Sequence, residues 1–282
     1  MSPLAEPLPT IALLGIPFDA NASFLRGAAE APGLIREALH CDSTNMWTEG
    51  GFDLGTPNVL HDGGDLNLTG DVAAAFATIK ATVRQTAGPD RPLICLGGDH
   101  SITWPILQGF HTHFKDLTIL HFDAHPDLYD ELDGNRFSHA CPMARIMEER
   151  LARRLIQIGI RTITGHQLEQ ARRFGVEVIA MRNVHRVSEL KLEGPLYISF
   201  DVDVIDPAFA PGVSHDEPGG MSVREALGHI QGLRVPIVGS DIVEYNPSRD
   251  RNKQTAMVSA KILKEIAAAM LRGGSAPPSH WP

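Results

Sequence analysis

The chain is poor in cysteine, in aromatic residues and in long apolar runs. Its three cysteines, Cys41, Cys95 and Cys141, lie far apart with no CxxC pair. That argues against a disulfide framework and a thiolate zinc site, and it suits a reducing compartment. Cys95 falls within an apolar run and is expected in the core. No stretch approaches the roughly 20 apolar residues of a membrane span. Residues 1–10 carry neither the basic region nor the apolar core of a secretion signal. A cytoplasmic protein with no membrane partner is therefore expected. No lysine- or arginine-rich block offsets the net charge of −9, so nucleic acid is not expected as a partner either. The acidic excess suits a cationic ligand.

The remaining composition is that of a globular protein, and a chain of this length can bury roughly three quarters of its unfolded surface. Apolar runs of strand length recur at 11–16, 93–96, 117–122, 155–160, 176–180, 196–200 and 236–243. They are near-continuous rather than alternating, as in parallel strands covered on both faces. Helical patterns lie between most of them, at 28–39, 71–85, 141–152, 167–174, 223–231 and 255–271. Ser222 with Glu225 three residues on forms a capping box, and Gly175 is a helix stop. Alternating strands and helices indicate an α/β fold with a mostly parallel sheet. No linker or repeat interrupts it, so one domain over 1–282 is expected, with 1–10 and 273–282 as arms or frayed ends.

Strand after strand ends in a charged or glycine-rich run. Asp123-Ala-His125-Pro-Asp127 follows one apolar run and Asp201-Val-Asp203 another. Alternate residues of a strand share a face, so each run aims its ligands to one side. Gly97-Gly-Asp-His100-Ser and Asp241-Ile-Val-Glu244 end two more. Ligands of open α/β sheets bind outside the carboxyl ends of the strands. His100, Asp123, His125, Asp127, Asp201 and Asp203 make an oxygen-rich set that favours Mn²⁺, or Fe²⁺, Co²⁺ or Ni²⁺, over structural zinc. So many carboxylates suit two ions sharing bridging anions, and a water held by both loses its proton near neutral pH. A lone DxD would say little; these motifs together point to a two-metal hydrolase.

The same motifs resemble the ureohydrolase family of arginases and agmatinases. The likeness spans about 11–270 and includes the run from Ser199 to Gly212. Ser138-His-Ala, Gly212-Val-Ser-His215 and Glu217-Pro-Gly-Gly220 look most like the plant-type arginase branch. The resemblance implies a three-layer αβα fold with the site at the strand carboxyl ends. It implies two Mn²⁺ per chain: His100 and Asp127 on one ion, His125 and Asp203 on the other, Asp123 and Asp201 bridging. It gives Glu244 the substrate's guanidinium, His139 the proton for the departing amine, and Asp127 a hold on the attacking water. A homo-oligomer, trimer or hexamer, is expected on the same ground.

The substrate's tail is read separately. Asp130, Glu131 and Asp133 beside Tyr129 favour a cationic tail, and 162–165 lacks the Asp with which other arginases hold an amino acid head. Agmatine is therefore placed first and L-arginine second, ahead of guanidinobutyrate and guanidine. His215 stands where other branches carry a Thr-Gly-Thr run and is open as a substrate contact. His121 is expected behind the ligands, and Trp47 and Trp104 in packing or interfaces. Two rivals are a single-zinc deacetylase, sharing only the DxH strand end, and a non-catalytic guanidino-binding subunit.

Overall fold

The computed structural model describes residues 9–274. The expected arms therefore lie outside the described residues except at 9, 10, 273 and 274. Eight strands form one sheet in the order β2-β1-β3-β8-β7-β4-β5-β6, every pairing parallel. In chain order the elements are β1 (Ile11–Gly15), α1 (Ala31–Leu39), β2 (Leu60–Asp65), α2 (Val72–Thr86), β3 (Leu93–Leu96), α3 (Thr103–Phe110), β4 (Thr118–Phe122) and α4 (Pro142–Glu148). They continue with β5 (Arg154–Ile160), α5 (Gly165–Phe174), β6 (Glu177–Ala180), β7 (Leu196–Asp201), α6 (Val223–Gly232), β8 (Ile237–Val243) and α7 (Gln254–Arg272).

The continuous apolar runs are explained by two cores, one on each face of the sheet. Ile11 and Leu13 of β1, Ile94 and Leu96 of β3, and Ile198 and Phe200 of β7 pack with α1, α6 and α7. Their neighbours Ala12, Leu14, Leu93, Cys95 and Tyr197 turn to the opposite core, with α2, α3 and α4. The result is the three-layer αβα architecture expected.

Both predicted helix signals hold. Ser222 Oγ accepts from the Glu225 amide while the Glu225 carboxylate accepts at the cap, and Gly175 ends α5 with φ of 67°. Helix α4 is shorter than predicted, and β2 and α3 are additions.

Strand register sets the height of the site. Phe122 pairs with Phe200 across β4 and β7, so the next residues, Asp123 and Asp201, stand level on adjacent strands. Asp201 pairs with Val243 of β8, which puts Glu244 one residue further along. On the other side of β8, Leu96 of β3 pairs with Ile242, and the chain then turns through Gly97 and Gly98 to His100. That turn needs glycine: a Cβ on Gly98 would lie 1.7 Å from the Phe18 carbonyl oxygen. Four adjacent central strands thus deliver every predicted site residue except His139, which comes from the connection between β4 and α4.

Candidate metal centre and active site

His100 Nδ1 is buried, has no hydrogen-bond partner, and faces Asp127 Oδ2 at 3.0 Å, Asp201 Oδ2 at 3.1 Å and Asp123 Oδ2 at 3.3 Å. Ligands about 2.1 Å from one ion at right angles stand about 3.0 Å apart. One nitrogen and three oxygens at this spacing therefore fit a coordination sphere. A second group adjoins it: His125 Nδ1 lies 2.9 Å from Asp203 Oδ2 and 3.4 Å from Asp123 Oδ1. Asp123 belongs to both groups, one oxygen to each. The donor set is imidazole and carboxylate without thiolate, which suits Mn²⁺-type ions better than structural zinc.

The electrostatics agree. Burial, then the charges of Asp203 and Asp123, drive the Asp201 carboxyl well above its ordinary range. Burial opposes a charge on His125, yet Asp203 and Asp123 outweigh it and push the imidazole up to about 12. A cluster this rich in buried anions demands cations, and imidazole protons are weaker substitutes for metal ions.

The ligands are braced from behind. His100 Nε2 is 2.9 Å from Ser199 Oγ, which donates to Asp241 Oδ1 at 2.8 Å. That chain makes Nε2 the protonated nitrogen and leaves the Nδ1 lone pair for a metal. Asp241 also accepts from Thr103 and Tyr197. His121, as expected, stands behind the ligands, 2.7 Å from Asp123 Oδ2 with Gln157 on its other nitrogen. Other strand-end acids are structural: Asp99 accepts from Asn21 and Ser101, and Asp19 from Gly27.

The cluster opens on a cavity of about 200 Å³ lined by His125, Asp127, Asp201, Asp203, His139, His215 and Glu244, with Ser23, Tyr129, Leu132, Ala140, Thr162, Thr164 and Gln167 further round it. That is below the range of about 300–1,000 Å³ usual for drug-sized ligands. A larger hollow of about 830 Å³ around Arg136, Arg150 and Arg153 includes none of the cluster. Glu244 Oε1 accepts from the His100 amide at 2.7 Å and contacts His139 Nδ1 at 2.8 Å. His139 Nε2 lies 2.8 Å from Ser23 Oγ. Asp127 and Glu244 both adopt positive φ, 50° and 63°, a conformation costly for a non-glycine residue and concentrated at functional sites.

The acids counted for a cationic tail do not line this cavity. Asp130 is tied to Arg136 and Arg145 at 2.8 and 2.9 Å, and Glu131 and Asp133 are exposed away from the lining. Sequence reading also missed Ser23, Ser199 and Gln157. Ser199 opens the run that ends at Gly212, but nothing in its neighbours marks it as a brace, and Ser23 is a lone hydroxyl in a loop. Trp104 packs as expected, stacked on Phe137 at 5.2 Å.

Fold and cluster together define a metallohydrolase built on a parallel αβα sheet. The chain belongs to the arginase family, whose model matches residues 9–269, and the family's members hydrolyse amidine groups. It is 48% identical over 273 residues to Arginase 1, mitochondrial, of Arabidopsis thaliana, covering 91% of this chain and 80% of the relative. The solved arginase of Medicago truncatula superposes with a TM-score of 0.88 at 45% identity, over 93% of this chain and 88% of that one. The agmatinase of Bacillus subtilis is more distant, 29% identical over 92% of this chain and 91% of its own.

Proposed function

We propose that the protein is a manganese-dependent arginase, hydrolysing L-arginine to urea and L-ornithine. The observation that carries the reaction is that two adjoining ligand groups, one through Asp127 and Asp201 and the other through His125 and Asp203, line the same small cavity as Glu244. His100, Asp123, Asp127 and Asp201 would hold one Mn²⁺, and His125, Asp203 and the bridging Asp123 and Asp201 the other. When bound, such a pair supplies a water acidic enough to act as nucleophile near neutral pH. Glu244, whose Oε2 is not engaged by the described residues, receives the guanidinium and turns its central carbon toward the cluster. Asp127 accepts a proton of the attacking water. His139 delivers a proton to the departing amine, its ring oriented by Glu244 and Ser23.

L-Arginine replaces agmatine as the favoured substrate for two reasons. The relatives of 48% and 45% identity carry arginase names. The outer cavity offers the neutral Tyr129, Thr162, Thr164 and Gln167 rather than the carboxylates that would prefer a second cation. No described helix is long and apolar enough to cross a membrane. The cytoplasmic placement rests on three free cysteines suiting a reducing compartment, whereas the Arabidopsis relative is named mitochondrial. We keep a homo-oligomer as part of the proposal.

The test is urea release from L-arginine, agmatine, 4-guanidinobutyrate and guanidine, with Mn²⁺ and with Ni²⁺. The expected result is the highest kcat/KM for L-arginine with Mn²⁺. A higher value for agmatine would reverse the substrate order, and no urea from any of the four would overturn the reading. Two metal ions per chain are expected, against one for a deacetylase-like site. Asp201→Asn should abolish metal binding and turnover together; guanidino binding unchanged in that variant would favour a binding protein.

A further inference from the structure

The reaction outlined above leaves one imidazole of the cavity unused. The His215 ring packs against His139 at 5.4 Å between centroids, against His125 at 5.9 Å, and against Phe24 at 5.7 Å. Its Nε2 is buried and has no hydrogen-bond partner. Buried polar groups almost always have partners, so this one calls for a donor or acceptor that the described side chains do not supply.

The ring's position is not an accident of a loose loop. The preceding Ser214 is held by Asn246 Nδ2 at 2.9 Å, and its own hydroxyl donates to the Leu25 carbonyl at 3.2 Å. The Asn246 amide donates to Gly212 O at 2.7 Å, and Val213 bridges Tyr245. Residues 245 and 246 directly follow Glu244, so the backbone that sets Glu244 also sets His215.

We infer that His215 is a direct contact of the substrate's guanidino group, accepting one of the N–H bonds that Glu244 does not take. A guanidinium carries five N–H donors, and one carboxylate accepts two of them in parallel. Buried in this cavity, the others need acceptors. His215 stands between the partner of Glu244 and a residue of the metal cluster, at the guanidino end. Tyr129, Leu132, Thr162, Thr164 and Gln167 line the remainder. A neutral imidazole keeps one nitrogen as an acceptor for such a bond.

The inference rests on the guanidino-hydrolase reading, and the experiment separates the two. Urea release, metal content and product inhibition are measured for the wild type and for His215→Ala, His215→Asn and His215→Phe. In His215→Ala, KM for L-arginine and for agmatine should rise together by about 10- to 100-fold, with kcat less affected and two metal ions retained. The inhibition constant of the amine product, which lacks the guanidino group, should stay within about threefold, since it loses no such bond. His215→Asn, retaining an acceptor, should recover part of the loss; His215→Phe, retaining only ring packing, should not. The near-isosteric Asn and Phe variants serve if the alanine variant fails to fold. A phenylalanine variant with wild-type KM, a rise confined to one substrate, or lost metal would overturn this inference alone. An inactive wild type would overturn it together with the reading beneath it.

Discussion

At His139 two neighbours compete for one nitrogen. The Ser23 amide points at Nε2 from 3.2 Å and requires a lone pair there, whereas Ser23 Oγ, at 2.8 Å, can accept a proton from it. On the other side of the ring, Glu244 decides the matter. Burial opposes the imidazolium, but that carboxylate outweighs burial and raises the pKa to about 9. The charged ring is the proton donor, so activity is present below this pKa and is lost as pH rises through it. Metal dications nearby act in the opposite sense, so the basic limb of kcat/KM should fall at or below pH 9. His139→Gln should lower kcat by about 10²- to 10⁴-fold and abolish that limb; an unchanged limb would remove His139 from the role. The sequence showed His139 only through a motif likeness. Ser23 was illegible, because its contact joins residues 116 positions apart and a single serine carries no periodic signal.

Helix caps divide into those that support the fold alone and those that also border the cavity. Ser222 caps α6 at the exposed surface, and Thr164 caps α5 through the same reciprocal motif while lining the cavity. Ser222→Ala should cost about 1 kcal/mol in denaturant unfolding and leave KM unchanged. Thr164→Ala should cost a similar amount and also raise KM, and Thr164→Ser should restore both. Equal kinetic effects in the two alanine variants would contradict this division. The two elements that sequence reading left out have physical explanations. Strand β2 reads Leu-His-Asp-Gly-Gly-Asp; it is an exposed edge, and charge and glycine there discourage further pairing. Helix α3 carries Pro105 and Gly109, which read as breakers. Yet Pro105 lies in the first turn, where it is tolerated. A Cβ on Gly109 would lie 2.8 Å from that of Val83, so the glycine permits close packing on α2.

Across the whole molecule, the buried acids make folding and metal binding one equilibrium. An ion present at 1,000 times its dissociation constant stabilises the native state by about 4 kcal/mol per site. Chelation should therefore lower Tm and abolish urea release, and Mn²⁺ should restore both; a Tm indifferent to chelator and Mn²⁺ would place no ion in the cluster. The layer architecture was legible because strands covered on both faces must be apolar throughout. Strand order was not legible: nothing local tells β8 to insert between β3 and β7. It is this insertion that places Glu244 beside His100.

The acids sit where strands end, and the outer wall hangs on the connections that follow: Tyr129 and Leu132 after β4, Thr162 and Thr164 after β5. Connections accept insertion and replacement far more readily than the strands they join. Replacement at these four positions can therefore change what the cavity admits while the strand-end acids stay in place.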